Sequence, residues 1–261
     1  MVHDFTIIIP TYNEERTIRT TLEGIKKQRT RASVKVVVVD GGSTDRTVEV
    51  AKQYVPVLRS PKQGKAHQLN YAASKTKSKY LIFLDADTLL PPNYVDRIQT
   101  EFENDQNLWA CAAQILYRGR RSGIWHTFVI LQAIIDFTEF AFVGVILGLL
   151  KLLPYTHFKI LQINYFYNIS MFIYYNLRQL VNFTEFSGAN ICIRRKVFEE
   201  IGGFRQPPKL GVDMLFCRAL RGHIRKKKAG KMKTLLNLFV ETDVRHLETV
   251  RSLKRLGQHR S

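Results

Sequence analysis

Four short runs near the start of the chain are almost continuously apolar: Phe5–Pro10 (FTIIIP), Val34–Asp40 (VKVVVVD), Val55–Leu58 and Tyr80–Leu84 (YLIFL). Runs of this length that do not alternate with polar residues are buried strands, covered on both faces. Between them the period changes. Ile18, Leu22 and Ile25 recur at helical spacing, Ser43–Tyr54 opens with capping residues, and Lys65–Lys75 carries Leu69, Ala72 and Ala73 on one face. Asn93–Asn104 follows the helix-starting pair Pro91 and Pro92. Strand and helix in strict alternation predict an α/β fold with a mostly parallel sheet and helices on both faces. In such a sheet ligands bind at the carboxyl ends of the strands.

Those ends are where the polar residues gather. The first strand runs into Pro10-Thr11-Tyr12-Asn13-Glu14-Glu15, the second into Asp40-Gly41-Gly42-Ser43-Thr44-Asp45, and the fourth into Asp85-Ala86-Asp87. No G-x-G-x-x-G or G-x-x-x-x-G-K-[ST] follows any strand, so dinucleotide and P-loop readings lose their main support. Read alone, Asp40-Gly41-Gly42-Ser43 is a strand-to-helix turn with Ser43 as the helix cap. Asp85 and Asp87 are different. Two carboxylates at the tip of a buried strand repel each other unless a cation lies between them, which points to a metal. Two acids with no His or Cys beside them suit hard Mg2+ or Mn2+ better than zinc.

The 261 residues are 45% hydrophobic, enough for a sizeable core, and carry a net charge of +18. That charge predicts an anionic partner: nucleic acid, a lipid headgroup surface or a phosphorylated small molecule. Its distribution is uneven, since residues 218–261 hold 13 Lys and Arg against 3 Asp and Glu. Cys111, Cys192 and Cys217 have no C-x-x-C spacing and read as buried thiols in a reducing compartment. With the first strand beginning so early, no signal peptide is expected.

Taken in order, PTYNEE at 10–15, DGGSTDRT at 40–47, GKAHQLN at 64–70 and DADT at 85–88 resemble the nucleotide-sugar half of family 2 glycosyltransferases with the Rossmann-like GT-A fold. SGANICIRRKVFEEIGGF at 187–204 is similar to that family's acceptor-side segment. The resemblance implies that Pro10, Thr11, Tyr12, Glu14, Asp40 and Gly42 surround the base and ribose and that Lys65 lies near the donor. It implies that Asp85 contacts ribose or metal, that Asp87 ligates the metal, and that Gly188 and Asn190 lie on the acceptor side. Ordinary turn chemistry is the rival reading for Asn190. A transfer that inverts the anomeric carbon needs one general base and no enzyme nucleophile. The family's base is usually an Asp in a Glu-Asp pair; here Asp213 matches while Val212 stands where Glu is usual. Asp213 also suits a helix N-terminus for reasons of dipole alone. His246 is a further metal or diphosphate candidate, as in some relatives.

Residues 119–185 interrupt the catalytic pattern, dividing the chain into 1–118, the insert, and 186–261. From Ile124 to Leu153 the insert is largely apolar, Pro154-Tyr155-Thr156-His157 breaks it, and Phe158–Leu177 resumes with seven aromatics. This reads as a membrane-associated helical hairpin, although Asp136, Glu139 and Lys151 make neither half a clean span; the alternative is a buried helical pair inside a soluble domain or a dimer interface. Arg118, Arg120 and Arg121 before it and Arg178, Arg194 and Arg195 after it agree with both ends on the cytoplasmic face. Arg225-Lys226-Lys227-Lys228 with Lys231 and Lys233 then reads as a headgroup-facing patch.

The expected function is a membrane-attached, metal-dependent transfer of one hexose from a nucleotide sugar to a polyprenyl-phosphate type acceptor, as in N-glycan precursor assembly. GDP-mannose is favoured over a UDP-sugar, through similarity to dolichol-phosphate mannose synthases and compact archaeal membrane mannosyltransferases with a reduced cellulose-synthase-like fold. The processive Q-x-x-R-W signature is missing from Arg251–Arg260, so a single transfer is expected. The alternatives are a sugar-nucleotide nucleotidyltransferase and a basic nucleic-acid- or membrane-binding module without catalysis. Nucleic acid is not the expected partner, because most aromatics sit in the insert, apart from the Lys and Arg run.

Overall fold

A computed structural model of the protein describes residues 3–118, 186–206 and 211–243. The elements are β1 (His3–Thr11), α1 (Ile18–Lys26), β2 (Val34–Asp40), α2 (Thr47–Lys52), β3 (Val57–Arg59), α3 (Lys65–Ser74), β4 (Ser78–Leu84), β5 (Thr88–Leu89), α4 (Tyr94–Asn104), β6 (Leu108–Arg118), β7 (Asn190–Arg194), α5 (Arg195–Glu200), α6 (Val212–Lys227) and β8 (Lys231–Asp243). The eight strands form one sheet in the order β3-β2-β1-β4-β7-β6-β8-β5. The chain divides into two compact units, Met1–Leu116 with Met171–Thr242 and Tyr117–Ser170 with Asp243–Ser261; the first holds the site described below.

The sheet is mixed, which corrects the expectation of a mostly parallel one. β3, β2, β1 and β4 run parallel, whereas β7 is antiparallel to both β4 and β6, and β5 is antiparallel to β8. The alternating pattern that predicts parallel strands ends with α4. Beyond it β7 lies between β4 and β6 and runs antiparallel to both, a pairing that the alternation of the first half does not announce.

Both faces of the central strands are covered. Phe5, Thr6, Ile7, Ile8 and Ile9 are buried in succession, so β1 has no solvent face. Side chains alternate in direction along β4, and the consequence is two separate aromatic layers. Tyr80 stacks between Phe5 and Phe102 at 4.9 and 4.6 Å on the α4 side. Phe83 packs with Phe198 and Phe204 on the other, and Phe204 in turn stacks on Phe216 of α6 at 4.4 Å.

Arg194 and Arg195, read above as topology markers, are fixed inside this framework. The Arg194 guanidinium donates to the carbonyls of Phe102, Asp105 and Leu108 and lies over the Phe102 ring, closing the end of α4. Arg195 donates to the carbonyls of Ser78 and Ala73 at the end of α3. Both satisfy helix-terminal carbonyls that would otherwise lack donors. Lys231 and Lys233, read above as part of a headgroup-facing patch, pair with Asp105 and Glu101. Among the described residues no helix is long and apolar enough to cross a membrane. The hairpin at 119–185, with Asp136 and Glu139, and His246 with the basic residues after it, lie outside the described residues.

Candidate active site

The strand order places β2 and β4 on opposite sides of β1, and the two flanks part at their carboxyl ends. β1 pairs with β2 as far as Thr11↔Asp40, but its pairing with β4 ends at Ile8↔Phe83. Pro10 therefore lies past the last β4 pairing, where its missing N–H leaves no gap in that ladder. A crevice at such a switch point is where open α/β sheets bind ligands.

One wall is the loop system after β1 and β2. Asp40 is 1% exposed, and its carboxylate accepts the N–H groups of Gly42 and Ser43 and the Ser43 hydroxyl. Gly42 adopts φ 98°, which completes this tight turn. Asp40 thus shapes the loop whose edge the resemblance assigns to the base and ribose. Ser43 is not the helix cap expected, since α2 begins only at Thr47. Its oxygen instead accepts the N–H of Asn13, while Asn13 Oδ1 accepts the N–H of Thr44. Glu14 and Glu15 continue the zipper, their N–H groups donating to Thr47 Oγ1 at 2.7 Å and Asp45 Oδ2 at 3.2 Å. Burial raises the Asp45 carboxyl, but the Thr47 hydroxyl and the N–H groups around it outweigh that and hold it below its ordinary value. Tyr12 stands 49% exposed on the rim, an aromatic face open to a flat ligand. Thr11 Oγ1 is buried without a hydrogen-bond partner among the described residues.

Gln68 ties this wall to the sheet, a role sequence reasoning missed although GKAHQLN contains it. From α3 its Nε2 donates to the carbonyls of Thr11 and Val39, both at 2.9 Å. A Cβ on Gly41 would lie 2.9 Å from the same amide, so the glycine is needed for close approach.

The floor of the site is a charge cluster. Lys65, first residue of α3, forms an ion pair with Asp85 and reaches the Gly188 carbonyl at 3.4 Å. The Gly188 N–H donates to Asp213 Oδ2 at 2.9 Å. A Cβ on Gly188 would lie 2.8 Å from the Lys65 ammonium. Desolvation pulls that ammonium down, but the charges of Asp85, Asp213 and Asp87 overcome it and hold Lys65 above its ordinary pKa. Asp87 is 6% exposed and accepts the Thr242 hydroxyl at 3.1 Å, while Thr242 accepts that of Thr88. Thr242, at the end of β8, was not legible as a site residue; its partner lies 155 positions away.

The two acceptor-side candidates separate. Gly188 is in the cluster. Asn190 is 1% exposed and its amide is built into the sheet: Oδ1 accepts the N–H of Ala113 and the hydroxyl of Tyr94, and Nδ2 donates to the Ala113 carbonyl. Asn190 opens a strand, so turn chemistry is not its role. Asp213 lies in the first turn of α6, and Val212 beside it packs against the core, which accounts for an apolar residue at that place.

A divalent cation suits this donor set. Three carboxylates act on one lysine, leaving a negative excess, and Mg2+ or Mn2+ needs one or two carboxylates with the rest of its shell from phosphate and water. Among the described residues no group of three His, Cys, Asp or Glu is arranged to hold a metal by protein ligands alone. Asp85 and Asp87 would therefore share the ion with a ligand.

The glycosyl transferase family 2 model matches residues 6–202, three quarters of the chain. The chain belongs to that family. It is 31% identical over 122 residues to the uncharacterized glycosyltransferase YibD of Escherichia coli, covering 43% of this chain and 35% of the relative, so it spans about a third of that protein's length. Two solved structures share the fold. TarS of Staphylococcus aureus, in complex with UDP-GlcNAc, superposes with a TM-score of 0.61 at 17% identity, covering 92% of this chain and 58% of that one. The mannosyltransferase PcManGT of Pyrobaculum calidifontis, in complex with GDP-Man and Mn2+, gives a TM-score of 0.61 at 19% identity, covering 99% and 62%. These findings support the α/β GT-A assignment and the membership in a family of transferases.

Proposed function

We propose that the protein transfers one hexose, with inversion, from a nucleoside diphosphate sugar to a lipid-linked acceptor of polyprenyl phosphate type on the cytoplasmic face of a membrane. Mannose from GDP-mannose is the preferred donor and a UDP-sugar the second. The observation that carries this reading is the convergence of Asp85, Asp87 and Asp213 on Lys65 at the crevice beside β1.

Asp213 takes the proton of the acceptor hydroxyl as that oxygen bonds to the anomeric carbon. The bond from that carbon to the diphosphate oxygen breaks, and the nucleoside diphosphate leaves with the electron pair. The N–H groups of Gly188 and Met214 each donate to one Asp213 oxygen and fix the carboxylate's orientation. Lys65 places a positive charge at the same floor, where charge accumulates on the leaving group. Asp87 and Asp85 would hold Mg2+ or Mn2+, which would supply Lewis-acid stabilisation of that diphosphate. Tyr12 offers its ring to the base, and the loop built by Asp40 and Gly42 lies beside the ribose.

The GDP-Man and UDP-GlcNAc complexes of the two fold relatives support the donor class. Isothermal titration of GDP, UDP and their sugars with and without Mn2+, on the wild type and on Asp87→Ala, tests it. Metal-dependent binding lost in Asp87→Ala is expected; equal affinity in all four combinations would remove the site.

A further inference from the structure

The turn that carries Asp85 and Asp87 is pinned at several points. The Asp85 N–H donates to the Ala189 carbonyl at 3.1 Å, the Ala86 carbonyl accepts the Thr21 hydroxyl at 2.8 Å, and the Thr88 N–H closes onto the Asp85 carbonyl at 3.1 Å. These bonds hold backbone. The Asp87 side chain is reached from another direction. β5 begins at the very next residue and sets Thr88 opposite Thr242 of β8. Both threonines are buried, and the Thr242 hydroxyl reaches Asp87 Oδ1 at 3.1 Å while its oxygen takes the Thr88 hydroxyl at 3.3 Å.

The direction of this chain follows from its protons. An ionised carboxylate only accepts, so Thr242 donates to Asp87 and its oxygen is left to accept from Thr88. Threonines that face each other across antiparallel strands commonly serve the sheet alone. Two features here go beyond that. β5 is two residues long, whereas strands usually run to about 3–10, so it adds little to the sheet, yet it stands directly after the acid. The proton of Thr242 goes to that acid and not to its facing threonine. Thr242 also lies beyond residues 6–202, which match the family, so membership assigns it no role.

We infer that Thr242 is a positioning residue of the cation site: its hydroxyl holds the Asp87 carboxylate in the orientation in which that group takes Mg2+ or Mn2+, so the end of β8 sets how tightly the ion is bound. The inference rests on the transferase reading above and deepens it. A carboxylate that turns freely must be ordered when the ion arrives, and a hydrogen bond already in place removes that step. Partners of this kind, one shell out from the ion, carry about 10- to 100-fold in metal affinity.

The test uses the full chain and reads binding, not turnover: isothermal titration with GDP or UDP at a series of Mn2+ concentrations gives the Mn2+ level at which nucleotide binding is half complete. Thr242→Val and Thr242→Ala remove the hydroxyl, the first at nearly constant volume, and Thr242→Ser keeps it. Thr88→Val removes the cross-strand bond but leaves Thr242 its bond to Asp87. Both Thr242→Val and Thr242→Ala are expected to need about 10- to 100-fold more Mn2+. Thr242→Ser should recover most of that loss, and Thr88→Val should stay near the wild type. Wild-type Mn2+ dependence in Thr242→Val or Thr242→Ala overturns the inference. An equal loss in Thr88→Val would make the effect one of strand pairing, and an equal loss in Thr242→Ser one of packing; either overturns it. A wild type that binds nucleotide equally well with and without Mn2+ would remove the transferase site itself, a failure visible before any variant is made.

Discussion

The Asp213 carboxylate and the Gly188 backbone are joined by a 2.9 Å hydrogen bond in which the Gly188 N–H donates to Oδ2. The bond links the first turn of α6 to the loop leading into β7, and through the Gly188 carbonyl to Lys65 and Asp85. One carboxylate is thereby oriented by the segment that also positions the donor-side lysine. Asp213 accepts a second N–H, that of Met214, at its other oxygen, so Asp213→Asn keeps an acceptor for one of the two and removes the proton acceptor. Nucleotide affinity is expected to match the wild type, the melting temperature to fall slightly, and transfer measured by nucleotide release to fall by about 10²–10⁴-fold. Turnover near the wild-type rate would place the base elsewhere.

Gly188 itself is the second point of leverage. An alanine Cβ would stand 2.8 Å from the Lys65 Nζ, and the ammonium, as the end of a flexible chain, would move away at little cost to the fold. The displacement would loosen the ion pair with Asp85. Gly188→Ala should melt close to the wild type yet lose roughly 10- to 100-fold in kcat/KM, the scale expected for a misplaced group at a reacting centre. A matched loss of melting temperature and activity would mean a folding defect instead.

The reading of the sequence succeeded where burial alone determines structure. β2 runs over Val34–Asp40 as expected, because an unbroken valine run ended by Asp-Gly-Gly leaves no competing assignment. The helix expected from Ser43 begins at Thr47 because Ser43, Thr44 and Asp45 bind Asp40, Asn13 and Glu15, and those tertiary partners override capping. β6 (LWACAAQILYR) was missed, having small residues in place of a β-branched run, and β8 was masked by its opening lysines. Of the site, the acids at the strand ends were legible from local pattern. Gln68, Thr242 and the structural use of Asn190 were not, since each depends on a partner 29 to 155 positions away.

Asp45 gives the loop system a pH response. Its native carboxyl lies below the ordinary value of 3.8, so the ionised form is favoured by folding. That contribution is present above the unfolded pKa of about 3.9 and is lost as pH falls through the lower native value. Asp45→Asn keeps the shape but loses the charge-assisted bonds, and should be less stable at neutral pH by about 1 kcal/mol. Thermal melts from pH 7 down to pH 3 should bring the two proteins together at the acid end. A constant difference across the range would show that Asp45 acts through shape alone.

Asn190 tests whether a buried amide serves the sheet. Its Nδ2 donates to the Ala113 carbonyl and its Oδ1 accepts the Ala113 N–H and the Tyr94 hydroxyl, with Cys192 within 3.2 Å of the same hydroxyl. Burial, reinforced by the neighbouring Cys192, pushes the Tyr94 phenol well above its ordinary pKa, so the hydroxyl remains a donor. Asn190→Asp replaces the one donor by an oxygen facing a carbonyl and brings a charge to a site without a cationic partner in this hydrogen-bond set. The loss of stability should reach roughly 3 kcal/mol or more, read as a fall in the denaturation midpoint with unchanged slope. Tyr94→Phe, which deletes only one of the two bonds to Oδ1, should cost about 1 kcal/mol. If Asn190→Asp folds as stably as the wild type and loses only transfer, the amide faces the acceptor and not the sheet.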